Sequence, residues 1–193
     1  MIVVPPTAGR EEDDGYTELR FCFGRFATGV TVVTYEFGGG PHGITVNSFT
    51  SVSLDPPLLL GSIDRRAKAC NSLDGAPFTV NVLTSGQQEL AMHFAGRPQP
   101  DVSLEWEMGE RAPRLFWVLA WMECVPWRRY DGGDHVLYTG KIIRYDYCDD
   151  QPLIFFTGNF GILPFAAKET RRAGRRRRPP QRRVRCGCWR RQF

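Results

Sequence analysis

HGITVNSFTSVSLDPP, residues 42–57, is the stretch whose reading decides the rest of this chain. It is branched and extended like a strand, yet Asn47, Ser48, Thr50, Ser51 and Ser53 crowd hydroxyl and amide groups into seven residues. With the neighbouring backbone N–H and C=O groups, such side chains suit the edge of a flat, heteroatom-rich ligand. A Ser/Thr-rich strand on an exposed sheet edge has the same composition. The flanking apolar runs Val30–Val33 and Pro57–Ile63 argue instead for a polar strand inside a sheet, and that is the expectation.

Outward from this segment, the chain reads as strands joined by tight turns. Thr28–Phe37 is rich in β-branched and aromatic residues, and the turn Gly38–Gly39–Gly40–Pro41 joins it to the polar strand as a hairpin. Asp55–Pro56–Pro57 ends the polar strand, because proline donates nothing to a ladder and restricts the residue before it. Pro57–Ile63 and Phe78–Leu83 are further strands. Leu115–Tyr130, Asp134–Tyr147 and Pro152–Thr157 follow, separated by Asp131–Gly132–Gly133 and by Cys148–Asp149–Asp150.

Three short helices are expected between them. Thr17 caps one through Phe26, with Leu19, Phe23 and Phe26 on one face; Asp64 caps a second, running to about Leu73. Ser85 with Gln88 has the capping-box spacing for a third, which ends at Phe94 with Leu90, His93 and Phe94 sharing a face. Residues 97–114 read as an irregular excursion. Six or more strands with three short helices indicate a mainly β, mostly antiparallel barrel or sandwich. No glycine-rich loop joins a strand to a helix and there is no GxxxxGK[ST] phosphate loop, which disfavours a Rossmann or P-loop fold.

A length of 193 residues with 42% hydrophobic composition suits one domain with a sizeable core. The longest apolar run, Leu115–Met122, is far shorter than the roughly 18 residues of a spanning helix, and the first residues lack a signal-peptide pattern. A cytoplasmic location with no membrane association is therefore expected. The six cysteines form no CxxC pair or Cys/His ligand set, so neither a metal site nor a disulfide framework is expected. Cys22, Cys70, Cys124 and Cys148 read as buried free thiols.

Charge is segregated. From Lys168 onward the chain holds twelve Lys and Arg and one acid, Glu169, whereas the preceding residues hold thirteen bases and twenty acids. The domain organisation expected is a disordered segment over 1–16, a folded unit over 17–165 and a disordered basic tail over 166–193. Such a tail suits phosphate or an anionic surface, but its Arg/Pro/Gly/Cys/Trp bias is also what an altered reading frame of a GC-rich gene encodes. The acidic body repels phosphate backbones, so nucleic acid is not expected as a partner.

Four segments, FGRFATGVTVVT (23–34), GITVNSFTSVSLDPP (43–57), PFTVNVLTSGQQELAMHFAG (77–96) and GGDHVLYTG (132–140), stand in a telling order and spacing. Together they resemble the flavin reductase-like family, the FMN-binding split-barrel reductases that supply reduced flavin to two-component monooxygenases. The resemblance implies an antiparallel, Greek-key-like split β-barrel that forms a homodimer. It also implies FMN or FAD reduced by NADH or NADPH, and a flavin-dependent monooxygenase as acceptor.

Carried onto this chain, the resemblance lays the flavin ring along Thr45, Val46, Asn47, Ser48, Ser51, Val52 and Ser53. Asn47 and Ser48 take its pyrimidine edge, and the Ser51–Ser53 backbone its central ring. The phosphate falls to Ser62, Asp64, Arg65, Arg66 and Lys68, where cations meet a helix start. Family members often carry an uncharged polar residue where Arg66 stands. Asp134 and His135 match the family's Gly-Asp-His motif, and the resemblance implies that they are the nicotinamide-side, catalytic pair. Hydride passes directly between the two cofactors, so the protein orients and tunes rather than attacks. His42 and His93 are assigned to a turn and to helix packing, Phe78 and Phe94 to the core. A non-catalytic flavin-binding protein and a pyridoxamine phosphate oxidase-like enzyme use the same barrel and are the alternative readings.

Overall fold

The computed structural model describes residues 16–163. The expectations for the first fifteen residues and for the basic tail, with Cys186 and Cys188, lie outside the described residues. Three helices and twelve strands run in chain order: α1 (Thr17–Phe23), β1 (Thr28–Gly29), β2 (Thr31–Phe37), β3 (Gly40–Val46), β4 (Thr50–Leu54), β5 (Pro57–Asp64), α2 (Lys68–Ser72), β6 (Phe78–Val82), α3 (Gln88–Phe94), β7 (Trp106–Met108), β8 (Pro113–Leu115), β9 (Ala120–Gly132), β10 (His135–Tyr147), β11 (Leu153–Phe156) and β12 (Asn159–Ile162). A seven-stranded sheet has the order β3-β2-β6-β9-β10-β5-β4, beside a three-stranded sheet β1-β11-β12 and the small hairpin β7-β8. Every pairing is antiparallel. The result is the mainly β, split-barrel-like architecture with three short helices that the sequence predicts.

Strand β2 explains its own composition. It lies between β3 and β6 and is buried on both faces from Thr31 to Tyr35. Val33 and Tyr35 enter one core with Val46, Leu59, Ile63, Leu73, Phe78, Val80 and Tyr138. Val32 and the preceding Val30 enter a second core with Leu83, Leu115, Trp121, Leu153 and Phe155. A strand covered on both sides reads as a near-continuous apolar run. The β2–β3 hairpin closes on Gly38 and Gly39, whose φ angles of +60° and +82° suit a two-residue turn that L side chains resist. Helix α3 lies directly on β3 at Gly43, where an added Cβ would sit 2.9 Å from the Phe94 ring.

Several local expectations are corrected. The polar stretch is two strands, not one: β3 and β4 stand at opposite edges of the sheet, because the chain breaks pairing at Asn47–Phe49 and crosses from one edge to the other. It therefore lies on sheet edges, not within the sheet. Helix α1 is shorter, begins after Tyr16 without a side-chain cap, and leaves Leu19, Phe23 and Phe26 exposed. Asp64 ends β5 and accepts from Arg66 N–H in a turn; α2 starts only at Lys68, with Ala67 before it. Ser85 caps nothing in α3, and the Gln87 amide oxygen instead accepts from Thr84 N–H.

The irregular excursion contains the β7–β8 hairpin, and the expected strand from Leu115 is split by residues 116–119. Cys22 is exposed and Cys148 partly buried; only Cys70 and Cys124 of the four are buried. His42 lies within β3, stacked on Tyr35, rather than in a turn. His93 belongs to α3, meets Phe94 edge-on, and accepts at Nδ1 from Gln99 N–H. No described helix is long and apolar enough to cross a membrane.

Candidate functional site

Strand β5 is the spine on which the predicted residues are strung. At its start it pairs with β4, where the register slips between Ser51 and Ser53 and leaves Val52 as a bulge. A bulge leaves one residue out of the ladder and re-aims its neighbours, a common device beside binding sites. Because β4 is an edge strand, its outer backbone groups are unpaired by the sheet. The Ser53 hydroxyl accepts from Asp55 N–H at 3.2 Å.

Further along, Ser48 pins the link between β3 and β4 onto β5. Its hydroxyl donates to the Ser62 carbonyl and accepts from the Ser62 N–H, both at 2.9 Å. Asn47 and Ser48 are half-buried at this seam. Thr45 and Val46 are held differently. The Thr45 hydroxyl donates to the Ala91 carbonyl at 2.7 Å, and Val46 belongs to the first core. Their side chains face inward, so only their backbone remains for a ligand.

At the far end of β5, the loop into α2 meets the β9–β10 turn. His135 and Asp64 are ladder partners. Asp64 is buried and its two oxygens take the Arg66 guanidinium at 3.2 and 2.9 Å. Those contacts hold its carboxyl well below the usual range, at about 2. Arg65 turns the other way. Its Nε donates to the Gly133 carbonyl at 2.7 Å and its Nη2 to Asp131 at 2.6 Å, while its backbone N–H donates to Asp134 O at 3.0 Å.

Asp134 in turn sits 2.7 Å from His135 Nδ1. The hydrogen bond to His135 and its charge lower the Asp134 carboxyl. A carboxylate only accepts, so this contact places the imidazole proton on Nδ1 and leaves Nε2 an acceptor in the neutral ring.

The structure thus brings Asp64, Arg65, Arg66, Asp134 and His135 together at one rim. Ser48 and Ser62 sit midway, and Ser51, Val52 and Ser53 at the other end of β5. Lys68 is exposed at the start of α2. Asp131 and Gly133 are read from the sequence as a turn and not as site residues, although they organise the site: Asp131 Oδ1 accepts from Gly133 N–H at 2.9 Å and Gly133 has φ +77°. An Asp two residues before a glycine at a hairpin end is the readable signal for this arrangement. Among the described residues no group of His, Cys, Asp or Glu could hold a metal ion.

Residues 23–164 match the model of the flavin reductase like domain. The chain belongs to this family. It is similar to the NADH-dependent flavin reductase of a Rhodococcus species, 39% identical over 157 residues, which are 78% of this chain and 88% of that protein. The reductase component of 4-hydroxyphenylacetate 3-monooxygenase from Thermus thermophilus is 38% identical over 141 residues, 72% of this chain and 91% of that one. Among solved structures, flavin reductase PheA2 in its native state superposes with a TM-score of 0.74 at 36% identity, covering 79% of this chain and 99% of that chain. This flavin reductase is accordingly an oxidoreductase that reduces flavin with a reduced nicotinamide.

Proposed function

We propose that the chain is an NADH-dependent flavin reductase working as a homodimer, with β5 as the floor of its flavin site and a flavin-dependent monooxygenase as acceptor. The observation that carries this reading is the linear order along β5: bulged edge backbone, Ser48–Ser62 seam, cationic loop, then the Asp134–His135 turn. That order suits a flat ring joined by an extended polyol to a phosphate. The donor set fits as well. Unpaired main-chain groups near Val52 match ring heteroatoms, and Arg66 and Lys68 lie where an anion would end.

Bound flavin supplies the two-electron acceptor, and the protein's own groups do the positioning. Asn47 and the Ser51–Ser53 backbone hold the ring edge. Asp134 fixes the imidazole tautomer, so that Nε2 of His135 is ready to accept from a polar group of the nicotinamide cofactor. The exposed phenylalanines Phe21, Phe23 and Phe26, close together in the chain at α1 and the turn after it, support a second copy as their cover. The relatives' dependence on NADH, and the place of one as a monooxygenase component, support the donor and the acceptor.

The test is NADH and NADPH oxidation by purified protein with FMN, FAD and riboflavin, with mass measured in solution. NADH oxidation well above the free-flavin background, from a dimer, is the expected result. Flavin binding without any nicotinamide oxidation would leave a passive flavin carrier instead.

A further inference from the structure

Arg65 stands in the loop where an anion is expected, yet its guanidinium is already engaged. Nε and Nη2 form a fork on Gly133 O and Asp131 Oδ2, and the backbone N–H of the same residue reaches Asp134 O. All three contacts land on the four residues 131–134, immediately before His135. Asp131 grips the turn from within through Gly133 N–H. An arginine fork on a carboxylate and a carbonyl is a planar, directional clamp that a lysine cannot copy. Neighbouring Arg66 is the opposite case: among the described residues its guanidinium hydrogen-bonds Asp64 alone, and its side chain is 81% exposed.

We infer that Arg65 is a positioning residue for His135: it locks the β9–β10 turn onto the end of β5, and the flavin phosphate is left to Arg66 and Lys68. This rests on the proposed nicotinamide-side role of His135. A phosphate drawn to Arg65 would have to compete with Asp131, which the fork and Gly133 N–H hold in its charged form. The turn would lose its clamp at the moment the donor needs it. A misplacement on the scale of an ångström at a reacting centre costs up to about a hundredfold in rate.

The experiment compares Arg65→Ala, Arg65→Lys, Asp131→Ala and the Arg65→Ala/Asp131→Ala double variant. Three readouts are used: NADH kinetics, equilibrium Kd for FMN and for riboflavin by fluorescence quenching, and amide hydrogen exchange of residues 131–135. The expected result is a fall of about tenfold or more in kcat/KM for NADH in either single variant, with the double variant no worse than either. Lysine is expected to rescue little. Kd should change by less than about threefold, equally for FMN and riboflavin, and exchange in the turn should rise about tenfold.

The inference is overturned if Arg65→Ala weakens FMN but not riboflavin, if Asp131→Ala leaves NADH kinetics intact, or if turn exchange is unchanged. Exchange is read without turnover. A wild-type protein that oxidises no NADH would therefore defeat the proposed function, while the clamp is still judged by the turn.

Discussion

Asn81 and Arg65 each make at least three hydrogen bonds, but one sits where water never reaches and the other at the rim. Asn81 is wholly buried; its Nδ2 donates to Val32 O and Thr34 Oγ1 at 3.0 Å and to Thr79 O at 3.3 Å, and its Oδ1 accepts from Leu115 N–H at 3.0 Å. Thr34 passes the network on to Pro113 O. Nearby, buried Glu123 accepts from the N–H groups of Arg111 and Ala112 and lies 4.0 Å from Arg144. These groups stitch the β8 segment onto β2, β6 and β9. The rim cluster of Asp64, Arg65, Arg66, Asp131, Asp134 and His135 has as many polar contacts but leaves most of its charge facing solvent. Polar groups in a core act through what is lost when a partner is removed; polar groups at a rim act through what they orient.

Substitutions should separate the two clusters sharply. Asn81→Leu strands Leu115 N–H in the core and takes a donor from buried Thr34 Oγ1, so stability should fall by about 3–4 kcal/mol, read as a lower urea midpoint. Glu123→Ala leaves the N–H groups of Arg111 and Ala112 unsatisfied and removes one of the two carboxylates beside Arg144, for a loss of about 2–3 kcal/mol by the same measurement. An Asn81 variant with an unchanged midpoint would erase the distinction. His135→Ala should do the reverse. The melting temperature should stay within about 2 °C and flavin Kd within about threefold, while kcat/KM for NADH drops about tenfold or more.

The smallest effect belongs to Asp64. Its folded value, about 2, lies below the ordinary carboxylate value, so its contribution is present above about pH 4 and is lost as pH falls toward 2. Because Arg66 is exposed, the amount should stay below about 1 kcal/mol. Comparing urea midpoints of the wild type and Asp64→Asn across that window checks both sign and size. A steeper acid loss in the variant would contradict it.

How much of this was readable in the sequence differs between the same two regions. The β2–β3 hairpin and the Pro57–Asp64 strand were legible because apolar runs and glycine or proline punctuation are local signals. Neither cluster was. Asn81 looks like any asparagine in a strand until Thr34 and Leu115 arrive beside it from 47 and 34 residues away. The polar stretch looked like one strand because nothing local at Asn47–Phe49 says that the chain changes edges; Ser62, fourteen residues on, supplies the anchor for Ser48. Capping failed at Asp64 for a related reason, since Arg66 claimed its carboxylate first. Residues of the candidate site could be named from the family resemblance, but which of the two arginines faces outward was decided by the distant turn at 131–134.

The glycine pair at the tip of β2–β3 has a practical side. An added Cβ at Gly38, Gly39 or Gly40 meets nothing within 4 Å, and Val46 lies six residues away along β3, roughly 20 Å. Splicing a short tether into that loop would allow this chain to be coupled to a chosen oxygenase, or anchored to a bead, without touching the machinery at the opposite end.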